Sequence, residues 1–131
     1  MTELYILLGI VIAFILFAVY RYLKQKKILT TLNEEAFRNG YRKAQLIDVR
    51  EPKEYDGGHI LGARNIPLSQ LNQRLTELRK DQPVYLYCQS GSRSMRAALT
   101  LNKKGYHQLY HLEGGYKKWS GKIKKTKKIE Y

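Results

Sequence analysis

Cys88 is the single cysteine of this 131-residue chain, and the five residues after it are Gln89, Ser90, Gly91, Ser92 and Arg93. A thiol attacks as its thiolate, so chemistry at Cys88 requires surroundings that lower its pKa. The apolar stretch Val84-Tyr85-Leu86-Tyr87 leads into the cysteine and reads as a short buried strand, while Ser94 to Lys104 has helix-forming composition. A strand, a tight polar loop and a helix start bring backbone N–H groups and the positive end of a helix dipole to the sulfur. That setting favours the thiolate. A lone cysteine after an apolar strand is otherwise a small buried hydrophobe. Gly91 and Arg93 at fixed spacing turn the reading toward chemistry.

The elements that must position this loop follow from Thr31 onward. Thr31 with Glu34 forms a capping box for a short helix ending near Asn39-Gly40. Gln45 to Val49 is an apolar run of strand length, and Pro52 opens a helical turn through Asp56 that Gly57-Gly58 stops. Ala63 to Ile66 reads as a second strand closed by Pro67. Ser69 to Lys80 reads as an amphipathic helix with Leu71, Leu75 and Leu78 on one side. Ala97, Ala98 and Leu101 face inward from the helix after the cysteine, which Gly105 ends. His107 to Leu112 reads as a last strand, and Gly115 to Ser120 as a closing helix. Short strands alternating with helices predict an α/β domain, a small central parallel sheet with helices on both faces. Ligands bind such sheets outside the carboxyl ends of the strands, and Cys88 lies at one.

The first residues do not belong to that domain. Leu4 to Tyr20 carries no charge, and at 1.5 Å rise per residue it spans about 25 Å, the short end of what crosses a bilayer. Tyr5, Tyr20 and Tyr22 match an aromatic belt. A cleaved signal peptide would have a basic n-region and a small-residue cleavage site, and a core helix would have a polar stripe; this segment has none of these. The organisation expected is a transmembrane helix at 1–23, a basic juxtamembrane linker at 24–30, the α/β domain at 31–120 and a lysine-rich tail at 121–131. Arg21, Lys24, Lys26 and Lys27 follow the apolar run, whereas only Glu3 precedes it. The positive-inside rule then puts the N-terminus outside a bacterial-type cytoplasmic membrane and the domain in the cytoplasm. A chain with one cysteine forms no intrachain disulfide, which fits a reducing compartment.

The net charge of +13 suggests nucleic acid until it is located. Four basic residues lie in 21–27 and seven lysines between 117 and 128; without them, 13 Lys and Arg face 11 acids. The excess flanks the domain, and anionic lipid attracts such segments by about 1 kcal/mol per basic residue near the surface. With no aromatic platform beside the tail, membrane lipid is the expected partner and nucleic acid is not. A solvated lysine tail is the plainer alternative.

Three groups of residues together resemble a known family. Leu46-Ile47-Asp48-Val49-Arg50 with Glu54-Tyr55 and Gly58-His59-Ile60 through Gly62-Ala63 and Asn65-Ile66-Pro67 is similar to the first signature of rhodanese-like domains. Tyr87 to Ser94 resembles their active-site loop, and Leu112-Glu113-Gly114-Gly115 with Trp119 their C-terminal signature. The resemblance covers 31–120. It implies a rhodanese-like fold and a sulfurtransferase in which Cys88 takes sulfane sulfur from a small anionic donor such as thiosulfate and carries it as a persulfide. The N–H groups of Gln89, Ser90, Gly91, Ser92 and Arg93 would then cradle the outer sulfur. Gly91 would stand where a side chain blocks the curl, and Arg93 would hold the donor and lower the thiol pKa. The loop from cysteine to arginine is one residue shorter than the Cys-x5-Arg loop of related phosphatases, which disfavours phosphate chemistry.

Gln89 and Ser90 are neutral where thiosulfate-preferring relatives often carry basic residues. With no second cysteine, the acceptor must come from outside: cyanide in an assay, or a small thiol or protein cysteine. Asp48 and Arg50 read as a structural ion pair, His59 as part of a turn and Trp119 as a packing aromatic. His107 and His111 have no cysteine or acidic partner at ligand spacing, so no metal is expected, and the reading calls for no cofactor. The competing function is a rhodanese-like binding or redox-sensing module that recruits a partner at the membrane.

Overall fold

A computed structural model of the chain describes residues 1–26 and 28–126. The elements in order are α1 (Thr2–Lys26), β1 (Thr30–Leu32), α2 (Glu34–Gly40), β2 (Gln45–Asp48), α3 (Pro52–Asp56), β3 (His59–Ile60), β4 (Arg64–Asn65), β5 (Val84–Tyr87), α4 (Ser92–Lys103), β6 (Leu109–Leu112) and β7 (Ile123–Lys124). Five strands form one sheet in the order β1-β6-β5-β2-β4, every pair parallel. β3 and β7 pair antiparallel in a separate ribbon.

The sheet is buried on both faces, as a parallel sheet must be. On one face α4 contributes Ala97, Ala98 and Leu101 to a core with Ile47, Val49, Val84 and Leu86. On the other, α2 contributes Phe37 to a second core with Leu46, Tyr87 and Leu112. Strand alternation explains the split: Val84, Leu86 and Cys88 point to the α4 side, Tyr85 and Tyr87 to the α2 side. The expected α/β architecture, parallel with helices on both faces, is therefore present.

Local boundaries differ for physical reasons. Thr31 is inside β1, so it does not open a capping box. Asn33 caps α2 instead, its Oδ1 accepting from the Ala36 N–H at 2.8 Å. Glu34 accepts from the Ser120 hydroxyl at 2.7 Å, tying α2 to the end of the domain. The expected helix over Ser69–Lys80 is two tight turns, Leu68–Gln73 and Leu75–Glu77, with Leu78 extended. Leu71 and Leu78 are buried as the pattern requires. The Tyr106 hydroxyl donates to the Leu75 and Leu78 carbonyls at 2.8 and 3.1 Å, taking acceptors that a continuing helix would use. The closing helix is likewise a single turn, Tyr116–Lys118.

Thr2–Leu23 within α1 is long and apolar enough to cross a membrane, and its apolar side chains are exposed. At the other end, β7 and a bond from the Thr126 N–H to the Asp56 carbonyl at 3.0 Å bind residues 123–126 to the domain. Lys27 of the linker and Lys127 and Lys128 of the tail lie outside the described residues.

Candidate active site

β5 is the middle strand of five, flanked by β6 and β2, and its ladder ends at Tyr87. Cys88 is thus delivered at the carboxyl edge of the sheet, with its side chain on the α4 side. The chain then turns back through Gln89, Ser90 and Gly91 into α4, which begins at Ser92. Ser92 and Arg93 therefore belong to the first helical turn, earlier than composition suggested. Gly91 has φ +117°, a conformation that L side chains rarely adopt. A Cβ placed there would meet no atom within 4 Å, so the glycine is required by backbone conformation rather than by space in the curl.

The curl closes on the sulfur. The Gly91 N–H donates to Cys88 Sγ at 3.0 Å, and the Ser94 hydroxyl lies 3.6 Å away. Burial pushes the thiol pKa up, but the Ser94 hydroxyl and the amides of Ser94, Gly91 and Ser90 outweigh it, and the net shift is downward. Cys88 is 0 % exposed while Ser90 and Ser92 above it are exposed. The sulfur thus sits at the bottom of a polar curl, with hydrocarbon behind it and amide hydrogens in front.

Arg93 does not stand free beside the sulfur. Its Nη1 and Nη2 donate to the two Glu54 carboxylate oxygens at 2.7 and 2.9 Å, a forked pair between α4 and α3. This pair holds Glu54 below the usual carboxylate range, the Arg93 hydrogen bonds being the main cause. Asp48 and Arg50 form the structural ion pair expected of them. Arg50 Nε and Nη2 reach the Asp48 carboxylate at 3.0 and 2.7 Å, with both side chains buried. The same guanidinium donates to the Gly58 carbonyl at 2.6 Å and to Gln89 Oε1 at 3.2 Å, and lies over the Tyr116 ring at 4.2 Å. It therefore ties the cysteine loop to the β2–α3 connection.

The Gly114-Gly115 motif forms the floor of the loop. Gly115 has φ +68°, and a Cβ there would lie 2.5 Å from the Gln89 carbonyl oxygen and 2.6 Å from that of Cys88. Beyond it the Tyr116 N–H donates to the Cys88 carbonyl at 2.8 Å. His59 bonds the Tyr55 carbonyl through Nδ1 at 2.8 Å and stacks on the Tyr55 ring. Trp119 packs edge-on against Phe37 and Tyr41, and His107 pairs with Asn102.

Sequence reasoning missed three residues at the site. Glu54 and Ser94 were read only as members of signatures, with no role given to either side chain. His111, set aside as a lone histidine, lies 2.9 Å from Ser94 Oγ and so one hydroxyl away from the sulfur. A polar residue at the inward position of a buried strand is the signal that could have found it.

The family model described as a rhodanese-like domain matches residues 31–122. The chain belongs to the rhodanese-like family. It is 63% identical over 122 residues to the uncharacterized protein YqhL of Bacillus subtilis, covering 93% of this chain and 97% of that one. It is 39% identical over 77 residues to the putative sulfur carrier protein YrkF of the same organism, covering 59% of this chain and 42% of that relative. Among solved structures it is similar to the human single-domain sulfurtransferase TSTD1, with a TM-score of 0.62, 26% identity and coverage of 68% and 93%. At family level this rhodanese-like domain is thus related to sulfur carriers and sulfurtransferases.

The buried Arg50–Asp48 pair yields a stability prediction. Asp48→Asn leaves a buried guanidinium uncompensated and should cost about 3–5 kcal/mol. Chemical denaturation of the full chain in detergent, read at unchanged m-value, measures it; a loss below about 1 kcal/mol would show that the pair does not hold the loop.

Proposed function

We propose that this rhodanese-like protein is a membrane-anchored sulfurtransferase carrying sulfane sulfur as a persulfide on Cys88. The observation carrying this reading is a thiol at the end of the central strand that accepts from the Gly91 N–H at 3.0 Å with the Ser94 hydroxyl 3.6 Å away, surroundings that lower its pKa against the effect of burial. In the forward step the Cys88 thiolate attacks the sulfane sulfur of a donor such as thiosulfate. The donor S–S bond breaks and sulfite leaves with the electron pair. The new outer sulfur carries the negative charge, and the N–H groups of residues 89–93 stabilise it as they would an oxyanion. A thiolate or cyanide acceptor then attacks that outer sulfur, and Cys88 leaves as the thiolate.

Arg93 is proposed to hold the anionic donor at the loop mouth. Glu54 competes for it, so donor binding uses the part of the guanidinium not taken by the carboxylate. The exposed apolar helix Thr2–Leu23 supports a single-pass anchor. The basic residues that follow it support a cytoplasmic domain with its flanks near anionic lipid. The complete burial of Cys88 favours a second reading, in which the shell recruits or senses a partner and the thiol turns over no donor.

Mass spectrometry of the full chain after thiosulfate treatment separates the two. The carrier reading expects a gain of one sulfur atom at Cys88, lost on adding cyanide and absent in Cys88→Ser. No gain with any sulfane donor would leave the recruiting module. In steady-state turnover, Arg93→Ala should raise the KM for thiosulfate about tenfold with the fold intact, the scale of one charge-assisted hydrogen-bond pair. An unchanged KM would remove Arg93 from donor binding. For topology, buried Cys88 is a poor reporter, so an exposed site replaces it. Lys103→Cys in a Cys88→Ser background should react with a membrane-impermeant thiol reagent only after the cells are permeabilised. Labelling of intact cells would reverse the orientation.

A further inference from the structure

Alternation along β6 turns Leu109 and His111 toward α4 and leaves Leu112 to the opposite core. His111 therefore places an imidazole where a hydrocarbon side chain would pack. It is 5 % exposed, and desolvating it is unfavourable unless both ring nitrogens are satisfied. Both are: Nδ1 lies 2.9 Å from Ser94 Oγ, and Nε2 lies 2.8 Å from Thr31 Oγ1 on the neighbouring strand β1. Ser94, itself 0 % exposed, also lies 2.9 Å from the Gly91 carbonyl oxygen and 3.6 Å from Cys88 Sγ. Thr31 is exposed. The four side chains form a continuous chain of hydrogen-bonding groups from a fully buried thiol to the surface.

We propose that Ser94, His111 and Thr31 are a proton path for Cys88, and that His111 is the positioning residue whose tautomer decides whether the Ser94 hydroxyl donates to the sulfur. In the thiol state the S–H donates to Ser94 Oγ, the Ser94 O–H turns from the Gly91 carbonyl, which keeps the Met95 N–H, to donate to bare Nδ1, and the Nε2 hydrogen donates to Thr31 Oγ1. Ionisation shifts one proton along each link. The thiol proton goes to Ser94 Oγ, the former Ser94 proton to Nδ1, the Nε2 proton to Thr31, and the former Thr31 proton to water. One proton leaves, no bond between heavy atoms changes, and His111 stays neutral throughout. In the resulting state Nδ1–H donates to Ser94, which frees the Ser94 hydroxyl to donate to the thiolate, and Thr31 donates to Nε2. The opposite tautomer would present an oxygen lone pair to the anionic sulfur.

The surroundings favour a neutral ring. Burial lowers the pKa of His111, so it moves protons without holding a charge. The groups facing it are Thr31 from β1, Ser94 from α4 and, in register on β5, Leu86. The charged groups around the loop are the Arg93–Glu54 pair and the Arg50–Asp48 pair, the latter reaching the loop at Gln89. A carrier thiol that reloads must lose a proton whenever it returns to rest as S–H. At a buried cysteine this path supplies the exit. The function assigned to the path rests on Cys88 being a persulfide carrier; the path itself does not.

The test is a pH titration of the Cys88 thiolate by its ultraviolet absorbance in the full chain in detergent, with Cys88→Ser as the reference that cancels the 11 tyrosines. His111→Leu should move the midpoint upward by about one unit, a roughly tenfold loss of thiolate below it. His111→Asn, whose amide N–H stands near the position of Nδ1, should restore most of the shift; a residue needed only for packing would be replaced better by Leu than by Asn. Thr31→Val, nearly isosteric and at the edge strand, should raise the midpoint by about 0.3–0.5 pH unit, a two- to threefold lower proton concentration at half-ionisation, by removing the donor to Nε2. It keeps the test decisive if His111→Leu does not fold. Wild-type midpoints in Thr31→Val and in every folded His111 variant would overturn the positioning role of His111, and with it the proposal. Mass-spectrometric sulfur uptake distinguishes the two failures: unshifted variants that still take up sulfur sink the positioning role alone, and shifted variants of a protein that never takes up sulfur sink the carrier reading alone.

Discussion

Between Cys88 and Ser94 the backbone turns the N–H groups of Ser90, Gly91 and Ser94 toward one atom, the Cys88 sulfur. A buried thiol by itself resists ionisation because the charged form loses its hydration. Replacing that hydration with fixed amide dipoles and one hydroxyl reverses the preference, and the replacement works only if the curl keeps its shape. The remaining architecture can be understood as what keeps it so. β5 is held between two parallel neighbours, so the end of the strand is a fixed point. α4 starts within four residues of the cysteine, so its first-turn amides have no freedom to turn elsewhere.

Two supports reach the loop from distant parts of the chain. Gly115 comes so close beneath the Cys88 and Gln89 carbonyls that no side chain could replace its hydrogen, and the Tyr116 amide bonds the Cys88 carbonyl. From the other side, the Arg50 guanidinium joins the Asp48 carboxylate, the Gly58 carbonyl and the Gln89 side chain. A buried ion pair is an uncertain source of stability, but one that also bonds two separate loops fixes their relative position. The three sequence signatures are thus three sides of a single curl: the wall at Asp48–Gly58, the curl at Cys88–Arg93 and the floor at Leu112–Gly115.

Much of this was legible along the chain, and the parts that were not share a cause. Val84-Tyr85-Leu86-Tyr87 and Gln45 to Asp48 read as buried strands because strand periodicity and length are local properties. Pro52, Asp56 and Gly57 mark a short helix through their own backbone limits. Ser69 to Lys80 failed because its leucine spacing suits a helix or two tight turns equally well, and the Tyr106 hydroxyl selects the turns. The start of α2 failed because Thr31 is committed to a ladder with His111, leaving Asn33 to cap. Both deciding partners are tens of residues away in sequence.

The residue types and spacing of the loop, together with its glycine, are sufficient by themselves to specify a strand-to-helix curl with a cysteine inside it, because those preferences belong to each residue's own backbone and to its immediate neighbours. What required the folded chain was which groups answer that cysteine. Glu54 occupies Arg93, Ser94 turns its hydroxyl to the sulfur, and His111 stands behind Ser94 with Thr31 at its far nitrogen. A hydrogen bond depends on a few tenths of an ångström between groups whose separation along the chain carries no distance information. Only the packing of β1, β6 and α4 brings Thr31, His111 and Ser94 into line.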